Sequence, residues 1–132
     1  MFDFSNLDQP VIQRYFHYLN SENYELVANL FAEEGVLYPP FDQPVVGPES
    51  ITHYLKAEAI NMAIEPLECV LKTASETETT YEVFGKVTTG LFSVNVGWLF
   101  TIDAANRLLE VRVKLLATLR ELLKMRQTDL PL

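Results

Sequence analysis

An α+β fold, with N-terminal helices packed on a strongly curved antiparallel sheet, is predicted by three features of this sequence. Apolar residues have helical spacing before Ile64, and from there to Leu115 they recur at every second position. Four such alternating stretches follow one another with short polar turns between them, as in an antiparallel meander. Helices first and strands afterwards is the element order of an α+β domain, with helices covering one sheet face.

The first helix is predicted over Leu7 to Leu19. Ser5 and Asn6 are candidate caps, and Pro10 falls in the first turn, where a missing N–H costs nothing. Val11, Ile12, Tyr15, Phe16 and Leu19 make its apolar stripe, and His17 lies about 200° away from that stripe. Asn20 and Ser21 break the pattern and cap. A second helix is expected from Glu22 to Ala32, with Tyr24, Val27, Leu30 and Phe31 inward and Gly35 ending it. Helices joined so closely pack as a hairpin.

Val36, Leu37 and Tyr38 then read as a short extended piece stopped by Pro39 and Pro40, with a second piece over Pro44 to Gly47. Proline cannot donate to a ladder, so both are expected at a sheet edge at best. Pro48 and Glu49 open a third helix, Glu49 to Ala59, carrying Ile51, Tyr54, Leu55 and Ala59 inward and His53 outward.

In the meander, Leu67, Cys69 and Leu71 alternate with Glu68, Val70 and Lys72, then Tyr81, Val83, Gly85 and Val87 alternate with Glu82, Phe84 and Lys86 after the polar turn ASETE. The third strand, FSVNVGWLFTI, is the most regular: Phe92, Val94, Val96, Trp98, Phe100 and Ile102 are all apolar and share one face. After DAANR the last strand alternates Leu109, Val111, Val113 and Leu115 with charged residues. Leu119 to Gln127 reads as a short C-terminal amphipathic helix.

The chain has 132 residues, of which 48% are hydrophobic and 21% charged, so residues 1–132 are expected to form a single domain. A net charge of -8 with scattered Lys and Arg excludes a phosphate-tracking nucleic-acid binder. No apolar run approaches the roughly 18 residues that cross a bilayer, and MFDFSNLD lacks the features of a signal peptide. A cytoplasmic protein with no membrane insertion is expected. Cys69 is the only cysteine, so an internal disulfide is impossible. No cluster has metal-ligand spacing, and no nucleophile elbow or phosphate loop is present. A strongly curved sheet closed over a helical hairpin makes a cone, whose apolar interior is either a ligand cavity or a filled core.

The order of elements resembles the nuclear transport factor 2-like (NTF2-like, cystatin-like) cone. More specifically, the helix bearing Tyr15, the motif PPFDQPVVG with its following helix, the strand NVGWLF and the ending KLLATLRELLKM are similar, in that order, to the C-terminal domain of the orange carotenoid protein family and its stand-alone cyanobacterial homologues. The resemblance covers nearly the whole chain. It implies a photoprotective, non-catalytic module that binds or delivers a ketocarotenoid, with Tyr15 and Trp98 donating hydrogen bonds to a keto oxygen. A phenol and an indole are apolar bodies with one donor each, which suits that task. Leu91, Phe92 and Val113 complete the residues that the resemblance places at the ligand, with Leu91 standing where the family carries a further pocket tryptophan. Lys114 stands where the family has an acidic residue, Glu58 matches a family carboxylate, and the family's helical N-terminal domain has no counterpart here.

Three functions fit these expectations. The first is a carotenoid-binding homodimer, with Val70, Phe84 and Leu99 on the outer sheet face as interface. The second is an enzyme of the ketosteroid isomerase or polyketide cyclase kind, which needs a buried base beside an oxyanion donor. Both histidines fall on outer helix faces, so no catalytic residue is assigned and a non-enzyme is expected. The third is a protein-interaction module whose cavity is filled.

Overall fold

The computed structural model describes residues 9–90 and 92–116. Three helices, α1 (Pro10–Asn20), α2 (Tyr24–Ala28) and α3 (Pro48–Glu58), accompany six strands: β1 (Phe31–Tyr38), β2 (Val45–Val46), β3 (Met62–Ala74), β4 (Glu78–Thr89), β5 (Phe92–Asp103) and β6 (Leu108–Leu116). The strands form one curled, unclosed sheet in the order β2-β1-β6-β5-β4-β3. The α+β class and the four-strand meander are as the sequence predicts. The expected caps Ser5 and Asn6, and the C-terminal helix over Leu119 to Gln127, lie outside the described residues.

The sheet is mixed and not purely antiparallel, because β1 lies parallel to β6, with Phe31 opposite Leu108 and Leu37 opposite Val111. The sequence reading of this region needs correcting. The second helix ends at Ala28, well before Ala32, and Phe31 and Ala32 are strand residues. Val27, Leu30 and Phe31 keep helical spacing, yet the Leu30 carbonyl accepts from Leu108 N–H at 2.8 Å and draws the chain into the sheet. A long-range ladder has overridden a local pattern. Gly35 does not terminate a helix. A Cβ there would stand 2.7 Å from the Leu108 carbonyl oxygen, so glycine permits the close approach of β1 to β6 at a register shift. β1 is an interior strand, since its prolines follow Tyr38 and take no part in the ladder. β2 is the short edge piece expected.

Curvature comes from irregularities in the meander. Between Pro66 and Glu68 the register of β3 on β4 shifts, and opposite it a Cβ on Gly85 would collide with the Glu65 carbonyl oxygen. Pro66 is tolerated because β3 is an edge strand and the site is a bulge. Leu67 is the extra residue, and it is exposed, not inward. A second shift between Thr101 and Ile102 pairs Ile102 with Leu108, so Leu108 is buried in place of the expected Leu109. The DAANR turn is closed by Asp103, whose Oδ1 accepts from the backbone N–H groups of Ala105 and Arg107.

The core lies between the helices and the concave sheet face. All five stripe residues of α1 are buried, and His17 and His53 are exposed, as expected. Phe16 makes edge contacts with Trp98 at 4.9 Å and Phe100 at 5.7 Å, and Tyr15 meets Phe100 at 5.1 Å. Such pairs contribute roughly 0.5–1.5 kcal/mol beyond their buried area. Along β5, Val96, Trp98, Phe100 and Ile102 are buried, Val94 is half-buried and Phe92 is 63% exposed. The apolar face of β5 therefore runs on past the reach of the helices.

Candidate ligand-binding site

The part of the concave face that the core aromatics leave open is a cavity of about 260 Å³. Its lining changes character with depth. Tyr15 and Leu19 from α1, Leu55 from α3, and Val96 and Trp98 from β5 are buried and form the floor. Toward solvent stand Pro40, Tyr54, Glu58, Thr89 and Leu115, which are half-buried or exposed.

Each floor residue arrives by a separate route. Tyr15 is on the stripe of α1, one turn from Leu19. Trp98 is fixed between Val83 of β4 and Val113 of β6 in the ladder, so Val113 also reaches the cavity wall. The far end of α1 is held by Asn20, whose side chain pairs with β3 like a strand: Ile64 N–H donates to Oδ1 at 2.7 Å and Nδ2 donates to the Ile64 carbonyl at 2.8 Å. The sequence reading treats Asn20 as a helix break and cap, with no role in the sheet. The end of α3 is held by Tyr24, whose hydroxyl donates to the Ala59 carbonyl at 3.0 Å.

Of the ligand residues expected from sequence, Tyr15, Trp98 and Val113 line this cavity and Phe92 does not. Phe92 has the right strand parity, but it lies at the exposed tip of β5. Leu91 lies outside the described residues. Sequence reasoning missed the wall from Leu37, Pro39 and Pro40, because it read β1 as a short edge piece. Tyr54 was visible on the stripe of α3, but nothing in the sequence marked it as a rim residue.

The electrostatics are those of a neutral pocket with donors. Among the described residues no polar or charged residue is buried, and Glu58 at the rim is exposed. Neither the Tyr15 hydroxyl nor the Trp98 indole N–H has a hydrogen-bond partner among the described residues. Burial pushes the Tyr15 phenol well above its usual range, so it keeps its proton and remains a donor. Burial likewise raises Tyr54, and the carboxylates of Asp42 and Glu58 add to the effect. The site can present two O–H or N–H donors to an uncharged acceptor. For acid–base chemistry it offers no buried carboxylate or imidazole among the described residues. No group of three or more His, Cys, Asp or Glu is arranged to hold a metal ion among these residues. Cys69 is half-buried and free, and burial raises its thiol, which disfavours the reactive thiolate.

Residues 8–109 match the nuclear transport factor 2 (NTF2) domain family. The chain is 34% identical over 118 residues to the orange carotenoid-binding protein of Limnospira maxima, and 33% identical over 116 residues to that of a Synechocystis strain. These alignments take in 86% and 85% of the chain but only 37% of each relative, so the chain spans little more than a third of their length. The structure of the orange carotenoid protein of Anabaena (Nostoc) binding canthaxanthin superposes with a TM-score of 0.80 at 30% identity, covering 89% of this chain and 39% of that one. A candidate polyketide cyclase from Sinorhizobium meliloti superposes with a TM-score of 0.67 at 22% identity, covering 85% and 99%, a likeness of fold alone.

Proposed function

The chain belongs to the NTF2 domain family and is a homologue of the C-terminal domain of the orange carotenoid protein, and from that premise we propose that it is a non-catalytic module that binds or delivers a ketocarotenoid. One observation carries this reading: an apolar cavity whose buried floor holds two unpartnered donors, Tyr15 and Trp98, and no buried charge among the described residues. A keto oxygen accepts from both. Each bond contributes about 1 kcal/mol net, with orientation as the larger gain, because only a carbonyl-bearing end satisfies the floor. Donation to the oxygen draws electron density along the conjugated chain, which moves absorption to longer wavelength.

The similarity to a canthaxanthin-binding structure supports the choice of ligand. An isomerase or cyclase needs a base beside the donors. The carboxylate nearest that role is Glu58, which stands exposed at the rim. A homodimer belongs to the same proposal. Val70, Glu82, Leu99 and Arg112 lie in one row across the convex face, with Phe84 in the neighbouring row, which offers a mixed surface of apolar and charged residues. Among the described residues no helix is long and apolar enough to cross a membrane. The cytoplasm is the compartment in which we place the protein.

The test is uptake. Mixed with canthaxanthin, the purified protein is expected to retain pigment through gel filtration and to absorb further to the red than the free pigment. A protein that elutes colourless, while a known carotenoid acceptor colours under the same conditions, would falsify the proposal.

A further inference from the structure

We propose that Glu58 is a specificity residue: it gives the mouth of the cavity a negative charge that turns away apolar molecules ending in a carboxylate. The inference rests on the cavity being a ligand site, as proposed above, and adds a rule for the end of the ligand that stays outside. Among the described residues lining the cavity, Glu58 is the only one charged at neutral pH, and none is a Lys or Arg. It is the last residue of α3, and Tyr54, Leu55 and Ala59 reach the cavity from the same helix end. That end carries the partial negative charge of the helix dipole, which favours a cation and disfavours a carboxylate. Lys56, two positions earlier, reaches Glu25 at 3.3 Å, and Glu58 forms no ion pair among the described residues. Its charge therefore works against the helix, and the mouth is where it acts.

A second carboxylate reinforces it. Burial raises the Tyr54 phenol, and Asp42 and Glu58 raise it further, so both charges reach one rim residue. The cations of β6 are turned elsewhere. Val113 and Leu115 line the cavity, so Lys114 between them faces the convex side. Arg112 lies over the Tyr38 ring at 3.9 Å and reaches Glu110 at 3.0 Å. A long-chain carboxylate has two ways in, and both are unfavourable. Head-first entry buries its charge on a floor without a cation, which neutral donors do not offset. Tail-first entry leaves the charge beside Glu58, and like charges closer than about 8 Å repel even at physiological salt. An alcohol or a ketone at the same end meets neither penalty.

The experiment uses the full chain with decanoate and decan-1-ol at neutral pH, an acid and an alcohol of one chain length. Binding is read as a saturable change in the emission of Trp98, the only tryptophan. The quantity compared is the ratio of the two dissociation constants, decanoate over decanol. Glu58→Gln should lower that ratio about three- to fivefold, the size of one like-charge contact near a protein surface. Glu58→Lys should lower it further, and high salt should bring the wild-type ratio toward that of Glu58→Gln. Glu49→Gln removes the same charge at the opposite end of α3, roughly 14 Å away along the axis, and should leave the ratio as it is. An equal ratio in wild type and Glu58→Gln, or an equal drop in Glu49→Gln, overturns the inference. So does the absence of saturable binding of either probe to all of these proteins. Canthaxanthin uptake by the wild-type chain then shows which reading failed: a coloured protein restricts the failure to the charged mouth, and a colourless one extends it to the proposed function.

Discussion

Tyr15 and Trp98 reach the same cavity floor from elements of different period, one from a helical stripe and one from the alternating face of a strand. Both placements were legible in the sequence, because a residue one turn from Val11 and Leu19, or at an even position of FSVNVGWLFTI, has only one face to occupy. Phe92 obeys the same parity and is exposed nonetheless, since parity fixes the side of a sheet and not the extent of its cover. We expect Trp98→Phe to bind canthaxanthin about fivefold more weakly and to lose part of the red shift, with the fold retained by circular dichroism. An unchanged spectrum would remove Trp98 from the site. Alkaline pH gives an independent check on Tyr15. Its proton is held more tightly in the folded chain than at the ordinary value of 10.0, so the unfolded chain ionises first and stability falls as pH rises through and beyond that value. Urea midpoints measured between pH 7 and 11 should decline at the alkaline end, and less steeply in Tyr15→Phe. Tyr24 and Tyr54, whose phenols are also raised, leave some slope behind.

At the scale of elements, the helices α1 and α3 and the four meander strands could be read locally, because each carries its own period and its own punctuation. β1 could not. Its partner β6 is remote in sequence, its first residues continue a helical spacing, and its role depends on a glycine whose need arises only when Leu108 is alongside. The bulge at Pro66 was equally hidden, since Leu67, Cys69 and Leu71 alternate smoothly in sequence while the strand shifts register between Pro66 and Glu68. Gly85 is the backbone contact on which this bend depends. Gly85→Ala must move the backbone of β3, and we expect a loss of about 1–3 kcal/mol in urea unfolding. An alanine there of wild-type stability would mean that the sheet can flatten at this point without penalty.

For the whole molecule, the sheet has a concave face committed to the core and cavity and a convex face that bears Val70, Phe84, Leu99, Arg112 and Lys114. If the convex face joins two copies, a second carboxylate beside Glu82 in place of Leu99 should separate them. Leu99→Glu is expected to halve the mass seen by light scattering at micromolar concentration while leaving the cavity and pigment uptake in place. A wild-type protein that is already monomeric at that concentration would rule out this interface.

The parallel β1–β6 pair also sets an order of assembly. Positions 31 and 108 must meet before Leu37 and Pro39 can stand beside Val113, so that wall of the cavity is absent until nearly the whole meander has formed. Helices and hairpins close short loops, whereas this pairing joins residues remote in sequence and carries a large loop-closure entropy. A nascent chain therefore has no complete seat for a ligand while β6 is missing. Occupancy then requires the assembled wall, and a bound ligand would stabilise it against opening.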